Sequence, residues 1–130
     1  MNQIIEKKLG IWMDHASAHF VDASDNPIAI NSIQSKFTHQ EKEHSLNKSE
    51  NLMHHKEQHL QADYYKKISE VILKFDHVVL FGPTQAKAEL FNFLKENHHF
   101  DKIKIHLQQT NKMTDSEMYL FTRNYFSMFA

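Results

Sequence analysis

The stretch His77–Phe81 (HVVLF) is an apolar run after its first residue and does not alternate between apolar and polar residues. A strand with one face in water alternates, whereas a strand covered on both faces does not. The run is short and ends at Gly82-Pro83-Thr84, a segment typical of a chain reversal. We therefore expect a central strand in a sheet that is covered on both faces.

Three runs that precede this strand are predicted to form an antiparallel meander. Leu9–Met13 alternates between large apolar residues and Gly10 or Trp12, and Ala18–Ala23 follows after a tight connection. Residues 24–27 (SDNP) are a strong turn signal, because Asp and Asn bond their own backbone and Pro fixes φ. A third strand starts near Ile28 and fades by about Phe37. Connections this short favour antiparallel pairing.

The rest of the chain alternates between helices and strands. A helix beginning at Gln85, with Thr84 as its cap, follows the central strand, and a further strand spans Ile103–Leu107. Thr114 and Glu117 form a capping box in front of the last helix. The apolar stripes of the three helices are Leu60, Tyr64, Ile68, Val71 and Phe75; Ala86, Leu90, Phe93 and Leu94; and Met118, Phe121, Tyr125 and Phe129. The predicted order is β-β-β-α-β-α-β-α, in an α/β fold with a mixed sheet.

Composition limits the class of protein. The chain has 130 residues, two Gly and no Cys, so we expect one domain (1–130) without a disulfide or a thiolate metal site. Neither a signal peptide nor a membrane span is predicted, so we expect a cytoplasmic location and no membrane partner. The formal charge of −1 indicates no general basic field for nucleic acid.

Residues 38–60 are polar and rich in His, with no Gly. They are predicted to form either a loop or an extension of the first helix, which then begins as early as Ser49. On a helix, His55 and His59 lie one turn apart and could chelate zinc. The alternative is a solvated His-rich segment without a ligand, and that interpretation is favoured.

The order of elements resembles the ribonuclease-H-like fold, and in particular the middle domain of archaeo-eukaryotic release factors and Pelota. Residues 78–96 (VVLFGPTQAKAELFNFLKE) resemble the strand–Gly-Pro–helix segment of that domain, and residues 102–126 are similar to its closing strand and helix in small bacterial relatives. The resemblance covers about Leu9 to Phe126. Release factors carry a Gly-Gly-Gln loop where this chain has residues 38–60, and no Gly-Gly-Gln occurs here. The resemblance thus implies association with ribosomes or RNA without peptidyl-tRNA hydrolysis.

Two groups of residues are candidates for binding RNA or phosphate. Thr84 lies at a helix start, where free amides can hold a phosphate, and Lys87 is one turn further on. The second group is the three lysines of the polar segment: Lys42, Lys48 and Lys56. The alternative for Thr84 and Lys87 is an ordinary connection from strand to helix without a ligand, and that interpretation is favoured.

Asp14 follows the first strand, where ribonuclease-H-like nucleases carry a metal-binding carboxylate. A role in forming the turn is favoured, because HVVLF brings no second acid to the site.

Three hypotheses for function remain. The first is a non-enzymatic factor associated with ribosomes or RNA, the second a homo-oligomeric interaction or structural protein, and the third a hydrolase that uses the His-rich segment. The abundance of aromatic residues favours self-association in addition to a core.

Overall fold

The computed structural model describes residues 6–23, 30–35 and 50–128, with side chains for 6–23, 31–35 and 58–128. Within these ranges the chain forms five strands, three α-helices and one turn of 3-10 helix. The elements are β1 (Lys8–Met13), β2 (Ser17–Asp22), β3 (Ile30–Gln34), α1 (Glu50–Ile72), β4 (His77–Gly82), α2 (Ala86–Lys95), the 3-10 turn His98–Phe100, β5 (Lys104–Gln109) and α3 (Asp115–Ser127).

The five strands form one mixed sheet in the order β3-β2-β1-β4-β5. Strands β1, β2 and β3 pair antiparallel, which confirms the predicted meander. Strand β4 pairs parallel with β1, so that Leu9 lies beside Val78, and β5 pairs parallel with β4. The predicted α/β fold with a mixed sheet is thereby confirmed.

The sheet separates two apolar clusters. Helices α1 and α2 cover one face, where Ile11 and Leu80 pack with Ile68 and Leu90. Helix α3 covers the other face, where Trp12, Val79 and Phe81 pack with Met118 and Phe126. Every residue of β4 is buried, as its uninterrupted apolar sequence predicted.

Gly10 lets α3 approach the sheet closely. A Cβ atom at this position would overlap the Oγ1, Cγ2 and Cβ atoms of Thr122, which is fully buried in α3. The nearest part of α3 therefore faces a strand position that has no side chain. This requirement explains one of the two glycines in the chain.

Several element boundaries differ from the prediction. Helix α1 ends at Ile72, so Phe75 packs on the core from the connection that follows. Strand β5 begins one residue later than expected and extends to Gln109, because its ladder with β4 continues to Gly82. In α3, Thr122 and Phe126 are buried, whereas Phe121 is only partly buried and Phe129 lies outside the described residues. No helix in the described ranges is long and apolar enough to cross a membrane.

His77 is a buried titratable residue at the start of β4, with 3% of its surface exposed. Its ring lies 4.9 Å from that of His106 and 5.0 Å from that of Phe126. The Nδ1 atom is 3.2 Å from Oε1 of Glu6. Burial lowers the pKa of His77, and the neighbouring His106 lowers it further against the opposing effect of Glu6. The folded protein therefore favours the neutral imidazole.

We expect Gly10→Ala to destabilise the fold by about 1–3 kcal/mol, because the new methyl group must displace α3 from the sheet. The double variant Gly10→Ala/Thr122→Ala should lose less stability than the two single variants summed, since it removes most of the atoms in conflict. Urea unfolding of the four proteins measures the difference. Additive effects would show that the close approach of α3 does not limit the residue at position 10.

We expect His77 to make the protein less stable as the pH falls below about 6.5. The unfolded chain binds a proton at His77 near that pH, and the folded protein does so only at lower pH. Acid therefore favours the unfolded state, by at most about 1.4 kcal/mol per pH unit for this group. The variant His77→Leu should show a shallower loss of stability between pH 7 and pH 5, measured by urea unfolding. His98→Gln is the control, because His98 is exposed. If the free energy of unfolding fell equally with pH in both variants, His77 would not be the group responsible for the loss of stability in acid.

Candidate functional site

The carboxyl ends of the three parallel strands meet at one edge of the sheet. Strand β1 ends at Met13, β4 at Gly82 and β5 at Gln109, and helix α2 starts immediately beyond β4. In open α/β sheets, ligands bind at this edge, outside the carboxyl ends of the strands. It also contains Thr84 and Lys87, two of the residues that the sequence predicts for phosphate binding.

The connection from β4 to α2 depends on glycine. Gly82 has a φ of +154°, and a Cβ atom there would overlap the carbonyl oxygen of Met13. Thr84 does not occupy the N-cap position, because α2 begins at Ala86 and Gln85 precedes it without a side-chain cap. Instead, Oγ1 of Thr84 accepts a hydrogen bond of 3.2 Å from the backbone N–H of Ala86. The predicted helix start and cap are therefore corrected by one residue.

Lys87 is buried, with 6% of its surface exposed. Its ammonium donates hydrogen bonds to the carbonyl oxygens of Gly82 (3.0 Å) and Thr84 (2.7 Å) and to Oε1 of Gln109 (2.8 Å). Gln109 also donates from Nε2 to the carbonyl oxygen of Pro83, at 3.0 Å. Burial lowers the pKa of Lys87. The ammonium has three protons, so these three acceptors use all of them.

The hydrogen bonds of Lys87 therefore hold the β4–α2 connection against the end of β5. To bind a phosphate it would have to release at least one of its three acceptors. Phosphate binding by Thr84 and Lys87 remains a prediction, and in this arrangement the Thr84 hydroxyl proton and the amides that follow Ala86 would have to supply most of the contact.

A second network, which the sequence did not indicate, joins α1, α2 and the β1–β2 turn. The hydroxyl of Tyr65 donates to Oε1 of Glu89 at 2.7 Å, and Nε2 of His15 lies 3.1 Å from Oε2 of the same carboxylate. Burial opposes ionisation of Glu89, but the hydrogen bonds from His15 and Tyr65 outweigh it and lower its pKa. Burial and the bond to Glu89 raise the pKa of Tyr65, so its hydroxyl remains a donor.

A carboxylate that orients an imidazole is an arrangement found in general bases. Here, however, the side chains of His15 and Glu89 are 46% and 48% exposed, so water screens the pair. The network connects the β1–β2 turn to both helices on that face, and we assign it a structural role.

Asp14 shapes the turn that carries His15. Its Oδ1 atom accepts hydrogen bonds from the backbone N–H groups of Ala16 and Ser17, both at 2.8 Å. The hydroxyl of Tyr64 donates to the Asp14 carbonyl oxygen at 2.9 Å. The favoured role in turn formation agrees with this geometry. Among the residues with described side chains, Asp14 does not join two further His, Cys, Asp or Glu residues in a group that could hold a metal.

The remaining predicted site residues lie on or before the amino-terminal half of α1. The helix begins at Glu50, so His55 and His59 stand one turn apart, as zinc chelation requires. His59 is exposed, and the side chain of His55 lies outside the described residues. The side chain of Lys56 is also outside them, as are Lys42 and Lys48 altogether. The zinc site and the lysine contacts therefore stay predictions.

The fold is similar to parts of the Pelota structures and of an archaeal translation termination factor. Superposition on Archaeoglobus fulgidus Pelota gives a TM-score of 0.61 at 8% identity, over 95% of this chain and 32% of that one. Superposition on Thermoplasma acidophilum Pelota gives a TM-score of 0.58 at 13% identity, over 90% of this chain and 32% of that one. The archaeal translation termination factor aRF1 gives 0.52 at 11% identity, over 95% of this chain and 39% of that one. No family model and no curated protein matches the sequence.

These likenesses establish the fold and extend over nearly the whole chain. The chain spans about a third of the length of the two Pelota structures. At such low identity the matches do not transfer a site, so the chemistry of this domain depends on its own residues. The chain thus has the fold of a domain that Pelota and an archaeal termination factor also contain.

We expect Lys87→Met to destabilise the protein by about 1–3 kcal/mol, because three acceptors lose a charged donor. Lys95→Met is the matched control, since Lys95 lies on the same helix and is exposed. Urea unfolding at neutral pH compares the two variants. An equal free energy of unfolding for Lys87→Met and the control would show that the hydrogen bonds of the ammonium do not stabilise this edge of the sheet. The role of Lys87 as a phosphate ligand would then gain support.

Proposed function

We propose that this chain is a non-enzymatic factor that associates with the ribosome or with RNA through a domain resembling those of release factors. The observation that carries the proposal is the similarity of fold to Pelota and to a translation termination factor over at least 90% of the chain. The similarity includes nearly the whole chain, with its five-stranded sheet in the order β3-β2-β1-β4-β5.

Binding without hydrolysis agrees with how the chain uses glycine. Release factors need Gly-Gly-Gln to bring a backbone amide and a glutamine against the ester, and this sequence has no such motif. Its two glycines, Gly10 and Gly82, are required where α3 and β1 approach closely. Residues 38–60 contain no glycine, so the segment lacks the glycine pair that the release-factor loop uses.

The amino-terminal part of helix α1 is the contact surface in this proposal. Tyr64 is almost completely buried, whereas Gln58 and His59 are exposed. At about 1.5 Å per residue, the part of the helix from Glu50 to Tyr64 is about 21 Å long. This part carries Lys56, and it follows the segment with Lys42 and Lys48.

In this proposal, the attraction to RNA comes from a few lysines and not from the charge of the whole chain. The formal charge of the chain is −1, so there is no overall positive field. The lysines of residues 42–56 would have to neutralise phosphates directly, and such contacts weaken steeply as salt rises.

Self-association is the other predicted property, and it stays a prediction. The large apolar side chains that are exposed in the described ranges are Leu73, Leu120 and Met128. They lie at the end of α1, within α3 and just after α3. Single exposed apolar residues are normal on monomeric proteins, so these three do not favour a dimer over a monomer.

We expect the purified protein to sediment with ribosomes at low salt and to be released as salt increases. The triple variant Lys42→Gln/Lys48→Gln/Lys56→Gln should bind less tightly, and the slope of log affinity against log salt should fall by about 2 if all three lysines contact phosphates.

The matched control is Lys66→Gln/Lys74→Gln/Lys102→Gln, which removes the same charge from exposed positions elsewhere. Equal weakening in both triple variants would show a nonspecific charge effect. No sedimentation with ribosomes at any salt concentration would contradict the proposed function.

A further inference from the structure

The edge of the sheet at β5 has the geometry of a strand-addition site. Strand β5 pairs with β4 on one side and is the last strand of the sheet in the described part of the chain. None of its six residues is fully buried, whereas all six of β4 are. A terminal strand presents unpaired backbone groups to which another chain can bind.

The ladder shows which backbone groups point outward. Lys104 donates its N–H to the carbonyl of Asp76 at 3.0 Å, and Thr110 donates to Gly82 at 3.1 Å. Backbone groups of successive residues in a strand point to opposite sides. His106 and Gln108 therefore also face β4, while the N–H and C=O groups of Ile105, Leu107 and Gln109 point away from the sheet.

A groove of about 400 Å³ lies beside this edge, on the face covered by α2. The apolar residues that line it are Phe91, Leu94, Phe100, Ile103 and Ile105. Ile105 thus contributes both to the groove and to the outward row of backbone groups. A strand paired at this edge would place alternate side chains next to the groove, which is how strand addition acquires specificity.

Lysines lie at both ends of the edge and beside the groove. Lys95 lines the groove with its ammonium 5.0 Å from the centre of the Phe91 ring. Lys102 and Lys104 lie at the start of β5, and Lys112 lies beyond its end, all exposed. Acids lie among these lysines as well: Asp76, Glu96, Asp101 and Asp115. The carbonyl of Asp76 accepts from Lys104, and Oδ2 of Asp101 is 3.2 Å from Nδ1 of His98.

We propose that this edge binds an extended peptide segment of another protein, with large apolar side chains at alternate positions and acidic residues at its ends. The backbone of the peptide pairs with Ile105 and Leu107, one apolar side chain enters the groove, and the acidic ends meet the lysines. A second copy of this chain fits less well, because its β5 carries Lys104 and no acid and so offers no carboxylate to the lysines around the edge. The inference goes beyond the proposed function and does not depend on ribosome binding.

Fluorescence anisotropy with the labelled synthetic peptide Asp-Glu-Thr-Phe-Val-Phe-Thr-Glu-Asp tests the charge and groove contacts. We expect saturable binding that weakens at least about tenfold in Lys95→Glu/Lys104→Glu. The control Lys66→Glu/Lys74→Glu changes exposed lysines of α1 and its end by the same charge, and should bind normally. Absence of binding, or equal loss in both variants, would overturn the proposal.

Two N-methylated versions of the peptide test the backbone pairing. One is methylated at odd positions and the other at even positions, so only one of them blocks the row of amides that faces β5. We expect one version to bind and the other to fail. If both bind alike, the peptide occupies the groove without adding a strand, and the proposal is wrong.

Amide hydrogen exchange by NMR locates the added strand. In the protein alone, the Ile105 and Leu107 amides should exchange quickly and the His106 amide slowly, and the peptide should protect the first two. If the protein alone is a dimer in which these two amides are already protected, a second copy occupies the edge. That result would overturn the assignment to a foreign peptide.

Discussion

The parallel pairing of β1 with β4 is the contact on which the rest of this structure depends. Both strands lie in the middle of the sheet, and both are buried on two faces by side chains such as Ile11 and Trp12. A parallel pair needs a long crossover, and its two apolar faces must be covered. The position of α1 and α2 on one face and α3 on the other follows from that requirement.

The strength of each local signal determined how much of the fold could be predicted. The sequence patterns of strand β4 and of the capping box at Thr114 each lie within a few residues, and both predictions were confirmed. The end of α1 was missed because Phe75 continues the helical spacing by chance, although it packs from a loop. The burial of Thr122 could not be seen, because it depends on Gly10 in a distant strand.

Predicting the candidate site was harder for the same reason. The sequence indicates that Lys87 is a positive charge near a helix start. Its hydrogen bonding, however, depends partly on Gln109, which lies at the end of strand β5. The contact between Tyr65 and Glu89 joins two helices, and no short motif encodes it. A sequence shows which groups are present, whereas burial and partners decide whether a lysine binds a ligand or holds its own chain together.

The separation in sequence between β1 and β4 also bears on how the chain is made. During synthesis, β1, β2 and β3 emerge first and can form their hairpins locally, but the edge of β1 that receives β4 stays open until His77–Gly82 leave the ribosome. Contacts between residues as distant as Leu9 and Val78 form slowly because a long loop must close. The nascent meander therefore exposes an apolar strand edge until β4 has been made, and during that time it is vulnerable to pairing with the wrong chain.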